Sequence, residues 1–291
     1  MAENIWVGCG TLTWPRGTER DQVLAEVAQA GYAGVPVGPY GRSADEVTAE
    51  LARFGLKPAP GYLSGDYWKV DEEPAILRRA HEMGAFMRQV GCTELYLGPG
   101  GFDAYVTSRG LTRRQVSGHV LPEDAMTDAE FVQFARALNK VGEITLQYGV
   151  ASCFHNHVGS VVETRQEIDH LFDLVDPGLV FQGPDIGHLV WAGIDPVQFC
   201  KDYASSIRTL HVKDINPQVL AAGVAAGWDY GAFSAAGIFA ELGEGCVDFP
   251  ALFRLLAGFD GWVIVETDVT MKPTAFESAT ISRAYLRSIG L

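Results

Sequence analysis

Short apolar runs typical of β-strands alternate with amphipathic stretches typical of α-helices along this chain. Such alternation predicts parallel βαβ units, because each helix returns the chain to the start of the next strand. Eight such units within 291 residues predict an α/β fold, the (β/α)8 TIM barrel. No linker or low-complexity segment interrupts the pattern, so we expect a single domain over residues 1–291. The predicted strands cover residues 5–9, 32–37, 58–62, 94–97, 150–154, 179–183, 207–212 and 262–266.

The predicted helices include several that begin at side chains suited to capping. They cover residues 19–30, 43–54, 72–90, 128–148, 164–175, 195–205, 248–257 and 274–288. Ser43, Thr127, Thr164 and Asp248 stand at or just before four of these starts, where a side-chain oxygen can accept a hydrogen bond from a free backbone N–H. The caps support the positions of these four helices.

Two connections are longer than a compact barrel needs, residues 98–126 after the fourth strand and 214–241 after the seventh. Neither shows an obvious hydrophobic period, and long connections of this kind are commonly functional or mobile. Both follow the carboxyl ends of strands, where barrel enzymes collect their chemistry. We expect them to overhang a site as a lid or as a contact in a homo-oligomer. A solvated surface excursion is the alternative for the first of them.

Composition limits the partners of this protein. Its 36 acidic and 22 basic residues give a net charge of -14, which opposes attraction to a phosphate polymer or an anionic membrane. No apolar run approaches the roughly 18 residues that a membrane span requires. Hydrophobic residues make up 47% of the chain, enough for a large core. We therefore expect a soluble protein that binds neither nucleic acid nor a membrane.

Two further features indicate a cytoplasmic location. The five cysteines are scattered and never spaced as CxxC, so we expect reduced, mostly buried thiols. Residues 1–4 lead directly into an apolar run, without the basic segment and cleavable apolar region of a secretory signal. Together these features predict a cytoplasmic protein.

Candidate metal ligands follow four of the predicted strands. His155 and His157 come just after the fifth strand, Asp185 follows the sixth, His211 lies in the seventh and Glu266 ends the eighth. Alternation along a strand points residues 155 and 157 to the same side, so both imidazoles can face the barrel axis. Such side chains are poorly placed for packing, because branched apolar residues fill barrel interiors. These positions predict a divalent-metal site at the carboxyl-terminal rim.

Plainer interpretations exist for individual residues. A single histidine is more often a hydrogen-bonded polar residue than a ligand, and Asp185 can simply cap a following helix. However, His188 comes three residues after Asp185, and Lys213 lies close behind His211, so other polar groups accompany the candidate ligands. Glu266 ends a strongly apolar strand, where burial of an unpaired carboxylate is unfavourable and a bound cation offsets the penalty.

The types of ligand indicate which metal to expect. Imidazoles and carboxylates together suit a transition metal better than Mg or Ca. We expect a divalent ion, Mn or Co in the first place, with Fe and Zn as alternatives that the spacing does not separate.

Aromatic side chains after the predicted strands indicate the substrate. Aromatic faces at a polar site commonly stack on sugar or polyol rings, although each residue alone is equally consistent with loop packing. A phosphorylated substrate would call for an arginine cluster or a glycine-rich helix start. We therefore expect an uncharged ring, with Trp14, Tyr62, Trp68 and Trp191 assigned to substrate binding. The full set of rim aromatics is Trp14, Tyr40, Tyr62, Tyr67, Trp68 and Trp191.

Ordered motifs extend over nearly the whole chain. They are Gly8–Trp14, Ala30–Gly38, His155–Thr164 (HNHVGSVVET), Asp185–Pro196 (DIGHLVWAGIDP), His211–Asp214 (HVKD), Gly243–Phe249 (GEGCVDF) and Gly261–Glu266 (GWVIVE). Through these motifs the chain resembles the xylose isomerase-like TIM-barrel superfamily of sugar isomerases, epimerases and lyases. It most closely resembles the inosose dehydratase branch.

The resemblance implies roles for individual residues. Isomerase and epimerase relatives hold their metal with a glutamate, an aspartate, a histidine and a second glutamate. Asp185, His211 and Glu266 match three of these, while His155 stands where the first glutamate is expected, and the dehydratase branch likewise has histidines in this segment. We assign His155, Asp185, His211 and Glu266 to the metal. We assign His157, His188, Lys213 and Glu244 to substrate contact or proton transfer.

The residue at position 155 separates two mechanisms. Epimerases of this type use their two glutamates as a proton-transfer pair on opposite faces of the substrate. A lyase needs only one proton removed next to a carbonyl, followed by loss of a hydroxyl or alkoxy group from the next carbon, with a metal stabilising the enolate. We therefore expect a metal-dependent dehydratase, a carbon–oxygen lyase, that acts on an inosose or a related keto-sugar, a sugar or cyclitol substrate.

Three other functions compete with this one. The nearest is a keto-sugar isomerase or epimerase. A DNA-repair endonuclease is another, because the endonuclease IV family shares this barrel, although the strong acidity and the single ligand cluster argue against it. The last is a sugar-binding or catalytic subunit of a larger deglycosidase.

Overall fold

The structure is a computed structural model that describes residues 5–256 and 258–291. Residues 1–4, and residue 257 of the predicted helix 248–257, lie outside the described residues. The strands are β1 (Ile5–Cys9), β2 (Gly34–Pro36), β3 (Lys57–Ala59), β4 (Tyr62–Gly65), β5 (Glu94–Pro99), β6 (Ala151–Phe154), β7 (Val180–Gln182), β8 (Leu210–Val212), β9 (Asp214–Ile215), β10 (Phe239–Ala240) and β11 (Gly261–Val265). The helices are α1 (Arg20–Ala30), α2 (Ala44–Ala52), α3 (Glu73–Val90), α4 (Asp128–Leu146), α5 (Arg165–Leu174), α6 (Ile186–Trp191), α7 (Pro196–Asp202), α8 (Pro217–Ala226), α9 (Tyr230–Ala235), α10 (Phe249–Leu255) and α11 (Ala275–Ser288).

The barrel strands pair in parallel, in two sheets. One sheet has the order β3-β2-β1-β11-β8 and the other β4-β5-β6-β7. β3 and β4 follow each other directly in the chain, and parallel bridges from Gln182 to Ile207 and from Asp185 to His211 connect β7 to β8. With β3 and β4 taken as one bent strand, the sheets supply the eight strand positions of the predicted barrel. The predicted α/β barrel fold is therefore confirmed.

The third predicted strand, 58–62, is the one that the structure divides. Pro60 and Gly61 separate β3 from β4. Proline has no backbone N–H for the strand ladder, so pairing is interrupted there. Pairing resumes at Gly61, whose carbonyl accepts a hydrogen bond from the Tyr96 N–H at 2.9 Å.

The predicted helix starts are confirmed at all four capping residues. Ser43, Thr127 and Thr164 each form a capping box with the glutamate three residues later. Asp248 accepts a hydrogen bond from the Ala251 N–H at 2.8 Å. A side-chain cap of this kind typically stabilises a helix by about 1 kcal/mol.

Two apolar layers position the rim of the barrel. The larger layer fills the space between the strands and the outer helices, with Leu24, Leu51 and Ile76 fully buried. A smaller cluster comprises Ala59, Tyr96, Trp262 and Ile264. Tyr62 stacks on Tyr96, with the ring centroids 5.0 Å apart, so this smaller cluster supports the side chains of the rim from below.

The connection 98–126 is fixed to the barrel by a buried arginine. Arg113 is fully buried and pairs with both carboxylate oxygens of Glu167, at 2.8 and 3.0 Å. Its Nε also donates to the Ser160 carbonyl at 2.7 Å. Because Arg113 is buried, the alternative of a purely solvated excursion is wrong for this part of the connection. Breaking a buried ion pair of this kind costs about 3–5 kcal/mol.

The connection 214–241 is largely regular, contrary to the sequence-based expectation. It contains the helices α8 and α9, and β9 pairs with β10 in antiparallel fashion. α8 has the sequence PQVLAAGVAA, which carries no charged residue and so shows no polar and apolar alternation. Trp191 and Phe233 pack with Ile215 and Phe239 in a separate apolar cluster under this segment.

The cysteines agree with the prediction of reduced, mostly buried thiols. All five are free, four of them buried and Cys246 exposed. Among the helices of the described ranges, none is long and apolar enough to cross a membrane.

Candidate metal centre and active site

Three predicted ligands meet at the carboxyl ends of neighbouring strands. His155 follows β6, Asp185 precedes α6 and His211 lies in β8. One ligand atom from each lies within 4.8 Å of the other two, and all three residues are buried. We call these residues the inner cluster. Glu266, directly after β11, adds a second carboxylate, with its Oε2 3.3 Å from His211 Nδ1.

Asp185 uses its two carboxylate oxygens differently. Oδ1 accepts the His188 N–H at 3.1 Å and so caps α6, as the plainer interpretation predicted. Oδ2 faces the inner cluster, 3.8 Å from His211 Nδ1, and accepts no hydrogen bond. Asn156 holds the backbone of Asp185, since its side chain bonds both the N–H and the carbonyl of that residue. The cap therefore leaves one oxygen of Asp185 available to a cation.

The ammonium group of Lys213 lies among three carboxylates. Its Nζ is 3.1 Å from Asp185 Oδ2, 3.0 Å from Glu266 Oε2 and 2.8 Å from Asp268 Oδ1. Burial alone lowers the pKa of Lys213, but Asp185, Asp268 and Glu266 outweigh burial and raise that pKa well above its ordinary value. Lys213 is therefore a permanent cation at the centre of the site.

Close packing of α6 against β8 places this lysine. A Cβ atom added at Gly187 would lie 2.4 Å from the Lys213 Cβ, closer than side-chain carbons approach each other. Glycine at this position lets the first turn of the helix pass next to the strand.

A second group of candidate ligands lies beside the first. His157, His188 and Asp268 also bring one ligand atom each within 4.8 Å of one another. We call them the outer cluster. The rings of His157 and His188 lie with their centroids 3.7 Å apart, and His188 Nε2 is 3.2 Å from Lys213 Nζ. Lys213 thus contacts both clusters.

Three of the histidines, His155, His157 and His188, are held in their neutral form. Burial, followed by the charges of His211 and Lys213, lowers the pKa of His155 well below its usual value. Burial also lowers the pKa of His157 and that of His188, with Lys213 adding to the effect in both. His157 Nδ1 lies 2.7 Å from the Val158 carbonyl, which can only accept, so Nδ1 carries the proton. The lone pair of His157 is therefore on Nε2.

Glu266 is held in its charged form. Burial raises its pKa, but Lys213 and His211 outweigh burial and lower the pKa well below the usual range. The site therefore combines neutral imidazoles, a charged carboxylate and one buried ammonium group.

A cavity of about 630 Å³, which we call the main cavity, opens onto both clusters. His155, His157 and Lys213 line it, as do Glu266 and Asp268. A cavity of this size is typical of small-molecule sites. The rest of its wall consists of Leu12, Tyr62, Ser64, Gly65, Asp66, Glu72, Arg79, Gly98, Pro99, Gly100 and Phe102.

Glu163 is a buried glutamate that accepts hydrogen bonds from two separate segments near the site. Glu163 accepts the Gly159 N–H at 2.6 Å and the Gly118 N–H at 2.7 Å. It thereby ties the turn after β6 to the connection 98–126. Burial raises the pKa of Glu163 to about 7, although Arg113 and the two N–H donors act in the opposite direction.

The structure does not bring every predicted site residue into the main cavity. Of the four predicted substrate-binding aromatics only Tyr62 lines it, with its hydroxyl 2.6 Å from His211 Nε2. Trp14 instead donates to Glu26 at 2.7 Å. Trp68 packs edge-on against Tyr105. Trp191 is buried and stacks on His188, which makes it a support for an imidazole rather than part of the wall.

Glu244, which we predicted to contact substrate or transfer protons, lies away from both clusters. Its carboxylate pairs with Lys272 at 2.7 Å, and its side chain is 45% exposed. Asp214, from the HVKD motif, organises the turn that carries Glu244. It accepts hydrogen bonds from the N–H groups of Gly243, Gly245 and Val247.

Sequence reasoning missed two residues of the site. Asp268 pairs with Lys213 and belongs to the outer cluster. Its sequence signal is its position two residues after Glu266, still at the end of the last barrel strand. Tyr230 comes from α9, stacks on His157 with centroids 5.9 Å apart, and donates to Asp268 at 3.2 Å. No signal marked Tyr230, because the helix that carries it was not predicted.

The inner cluster fits a divalent transition metal. His155 Nδ1 is buried without a hydrogen-bond partner, which is unfavourable unless another group satisfies it, and Asp185 Oδ2 accepts no hydrogen bond but has the Lys213 ammonium group 3.1 Å away. The ammonium group of Lys213 already shows that the carboxylates attract a cation. Two imidazoles and two carboxylates form the mixed donor set that such metals prefer.

A family model of xylose isomerase-like TIM barrels matches residues 24–288. The chain belongs to this family. An inosose dehydratase of Geobacillus kaustophilus is 30% identical over 256 residues, which are 86% of this chain and 80% of that protein. The rhizopine catabolism protein MocC of Rhizobium meliloti is 31% identical over 281 residues, 91% of this chain and 82% of that protein. The resemblance found in the sequence motifs is therefore confirmed.

Solved structures of the xylose isomerase-like barrel superimpose on the chain over nearly its whole length. A sugar phosphate isomerase/epimerase from Parabacteroides distasonis has a TM-score of 0.69 at 18% identity, covering 99% of this chain and 95% of its own. An L-ribulose 3-epimerase has a TM-score of 0.69 at 16% identity, covering 98% and 94%. At these identities the likeness shows the shared fold alone.

Proposed function

We propose that the chain is a metal-dependent dehydratase, a carbon–oxygen lyase that acts on an inosose or a related keto-sugar through an enolate. The observation that carries this proposal is that two unlike groups line one cavity: a buried inner cluster suited to a cation, which reaches the main cavity through His155, and a neutral imidazole, His157, whose ring centroid lies 6.1 Å from that of His155. Relatives named inosose dehydratase, similar over most of the chain, support the reaction class.

His155, Asp185, His211 and Glu266 would hold the metal, which we expect to be Mn or Co. When bound, the metal would act as a Lewis acid that stabilises the negative charge on the substrate oxygen.

His157 is the base in this proposal. Its Nε2 carries a lone pair because Nδ1 donates a hydrogen bond to the Val158 carbonyl. The residue belongs to the wall of the main cavity. It takes the proton from the carbon next to the carbonyl. The same imidazolium then returns that proton to the hydroxyl group that leaves the next carbon, so that one water molecule departs and no other acid is needed. Stacking of His157 on Tyr230 and His188 keeps the ring in place during both transfers.

Lys213 stabilises charge rather than transferring protons. Its raised pKa makes it a poor acid, and as a permanent cation it favours the enolate in the dry interior of the site. His188 and Asp268 orient the ammonium group, since both contact Nζ.

A keto-sugar epimerase is the second candidate, because structures named as epimerases share the fold. The imidazole at position 155 favours elimination over epimerisation. Exchange across both faces of a substrate needs a second proton acceptor, and an imidazole that binds the metal does not supply an anionic one.

The test is to incubate metal-loaded protein in heavy water with a panel of inososes and 3-keto-glycosides and to record masses. From an inosose we expect a product lighter than the substrate by one water. A 3-keto-glycoside carries no free hydroxyl group on the carbons β to its keto group, so from it we expect loss of the alkoxy group at C1 as an alcohol. In both cases little epimer or ketose isomer should accumulate. Interconversion of two sugars of equal mass, faster than any loss of water, would refute the dehydratase assignment and favour the epimerase.

A further inference from the structure

A second cavity, of about 330 Å³, adjoins the main cavity. Leu12, Tyr62 and Glu266 line both, so the two spaces meet beside the inner cluster. The second cavity extends away from the histidines, over the ends of β1 and β2. We call it the Tyr40 cavity. Its remaining wall consists of Gly10, Thr11, Arg20, Pro36, Val37, Gly38, Tyr40, Arg42 and Val47.

Tyr40 has an unusual backbone and an unusual exposure. Its φ is 40°, in the left-handed region that a bulky residue rarely adopts, and the residue is 80% exposed. The ring lies against Gly38, where an added Cβ would be 2.8 Å from a ring carbon. One side of the ring thus lies close to the backbone while the residue as a whole stays exposed. Strain of this kind is common at binding sites.

The charged groups of the Tyr40 cavity balance one another. Arg20 and Arg42 both bind Glu50, at 2.7 and 3.0 Å, and Arg42 also lies beside Glu46. These two guanidinium groups and two carboxylates balance, and Glu266, the other charged residue of the wall, is paired with Lys213 at 3.0 Å, so no net charge is left for an anion. The remaining N–H groups of the arginines can donate to hydroxyl oxygens, which suits a neutral polyol.

We propose that the Tyr40 cavity is a second sugar subsite, so that the substrate is a keto-ring linked to a further sugar ring. The keto-ring occupies the main cavity beside His157, and the second ring stacks on Tyr40. The description of the substrate rests on the proposed function, whereas the binding of a sugar ring by Tyr40 does not.

Two substrates and two variants test this proposal. The substrates are methyl 3-keto-glucoside, which has one ring, and 3-keto-maltose, which has two. Tyr40→Asn removes the ring while keeping a residue that tolerates left-handed backbone, and Tyr40→Phe keeps the ring as the matched control. We expect wild-type protein to prefer 3-keto-maltose in kcat/KM. Tyr40→Asn should lower kcat/KM for 3-keto-maltose by roughly three- to tenfold, in the range of a lost aromatic contact, and leave the one-ring substrate unchanged.

Binding of unreactive maltose and methyl glucoside, measured by ligand-observed NMR, gives an independent result. We expect maltose binding to weaken in Tyr40→Asn and to persist in Tyr40→Phe. If neither keto-substrate nor any inosose of the panel reacts but maltose binding depends on the ring of Tyr40, the proposed function is overturned and the sugar subsite stands. If the one-ring substrate undergoes elimination, with release of methanol, equally well, or Tyr40→Asn affects neither maltose nor 3-keto-maltose, the second subsite is overturned and the proposed function stands.

Discussion

The inner and outer clusters contain the same ligand types, two histidines and one aspartate each, but differ in their surroundings. The inner cluster is buried throughout and gains a second carboxylate from Glu266. The outer cluster is only partly buried, and Lys213 contacts both clusters. Burial and the additional carboxylate, rather than the ligand set, therefore distinguish the proposed metal site from the proposed proton-transfer site.

The strongest test of this difference concerns the proposed base. His157→Gln should lower kcat by about 10²- to 10⁴-fold, the contribution of a general base, and leave the metal content unchanged. Steady-state kinetics and elemental analysis of the same preparation measure both. His81→Gln, at an exposed histidine, is the matched control. Loss of metal together with activity in His157→Gln would mean that the outer cluster also holds the ion.

The lysine between the clusters gives the next largest effect. Lys213→Met leaves Asp185, Glu266 and Asp268 facing one another without a cation, so we expect the metal-free protein to lose about 3–5 kcal/mol in free energy of unfolding. Denaturant titration measures this loss. Added metal should restore part of it, because the ion replaces the missing charge. Lys140→Met, which breaks a surface ion pair with Glu73, should cost about 1 kcal/mol or less. Equal losses in the two variants would argue against a central role for Lys213.

The ligands of the inner cluster should control metal affinity. His211→Ala and Glu266→Gln should each weaken metal binding by about 100-fold or more. This figure is the upper end of the loss in affinity caused by mutating residues that only support the ligands. His188→Ala, in the outer cluster, should weaken it far less. Titration of each apoprotein with Mn or Co measures the three affinities. Full metal content in both inner-cluster variants would remove the assignment of the metal site.

The smallest expected effect concerns pH and lies outside both clusters. The pKa of Glu163 is about 7 in the folded protein, above the usual value of a glutamate, so the folded state binds its proton more tightly than the unfolded state does. This stabilisation is complete below the unfolded pKa and is lost as the pH rises through 7, with about 2 kcal/mol lost between pH 5 and pH 7. Glu163→Gln should show a smaller decrease in unfolding free energy between pH 5 and 7. Identical pH profiles for the two proteins would contradict this.

The barrel was predictable from sequence because its strands and helices have clear hydrophobic periods. The four helix caps were predictable for the same local reason, since a cap depends on a few adjacent residues. α8 was missed because all its residues except Gln218 are small or apolar, so no periodicity separates its two sides. The break between β3 and β4 was not predicted, because a proline interrupts a strand only where its N–H would have paired in the ladder, and the sequence does not show that for Pro60.

The candidate site was predictable to the extent that its residues end strands. His155, Asp185, His211 and Glu266 come together because parallel strands of a barrel end at one rim. Trp14, Trp68 and Trp191 could not be sorted from Tyr62 in this way, since each packs against partners distant in sequence. Tyr230 reaches His157 only because the segment 214–241 folds back over the rim.

The divided use of the Asp185 carboxylate affects how natural sequences of this family should be interpreted. One oxygen caps α6 and the other lies among the charged groups of the site, so this single residue has both a folding role and a proposed chemical role. Asparagine begins helices as well as aspartate does, but it carries no negative charge. Under the proposed function, a homologue with asparagine at this position would therefore keep the barrel and lose the reaction. Such an exchange would identify pseudoenzymes that overall similarity alone would class as active.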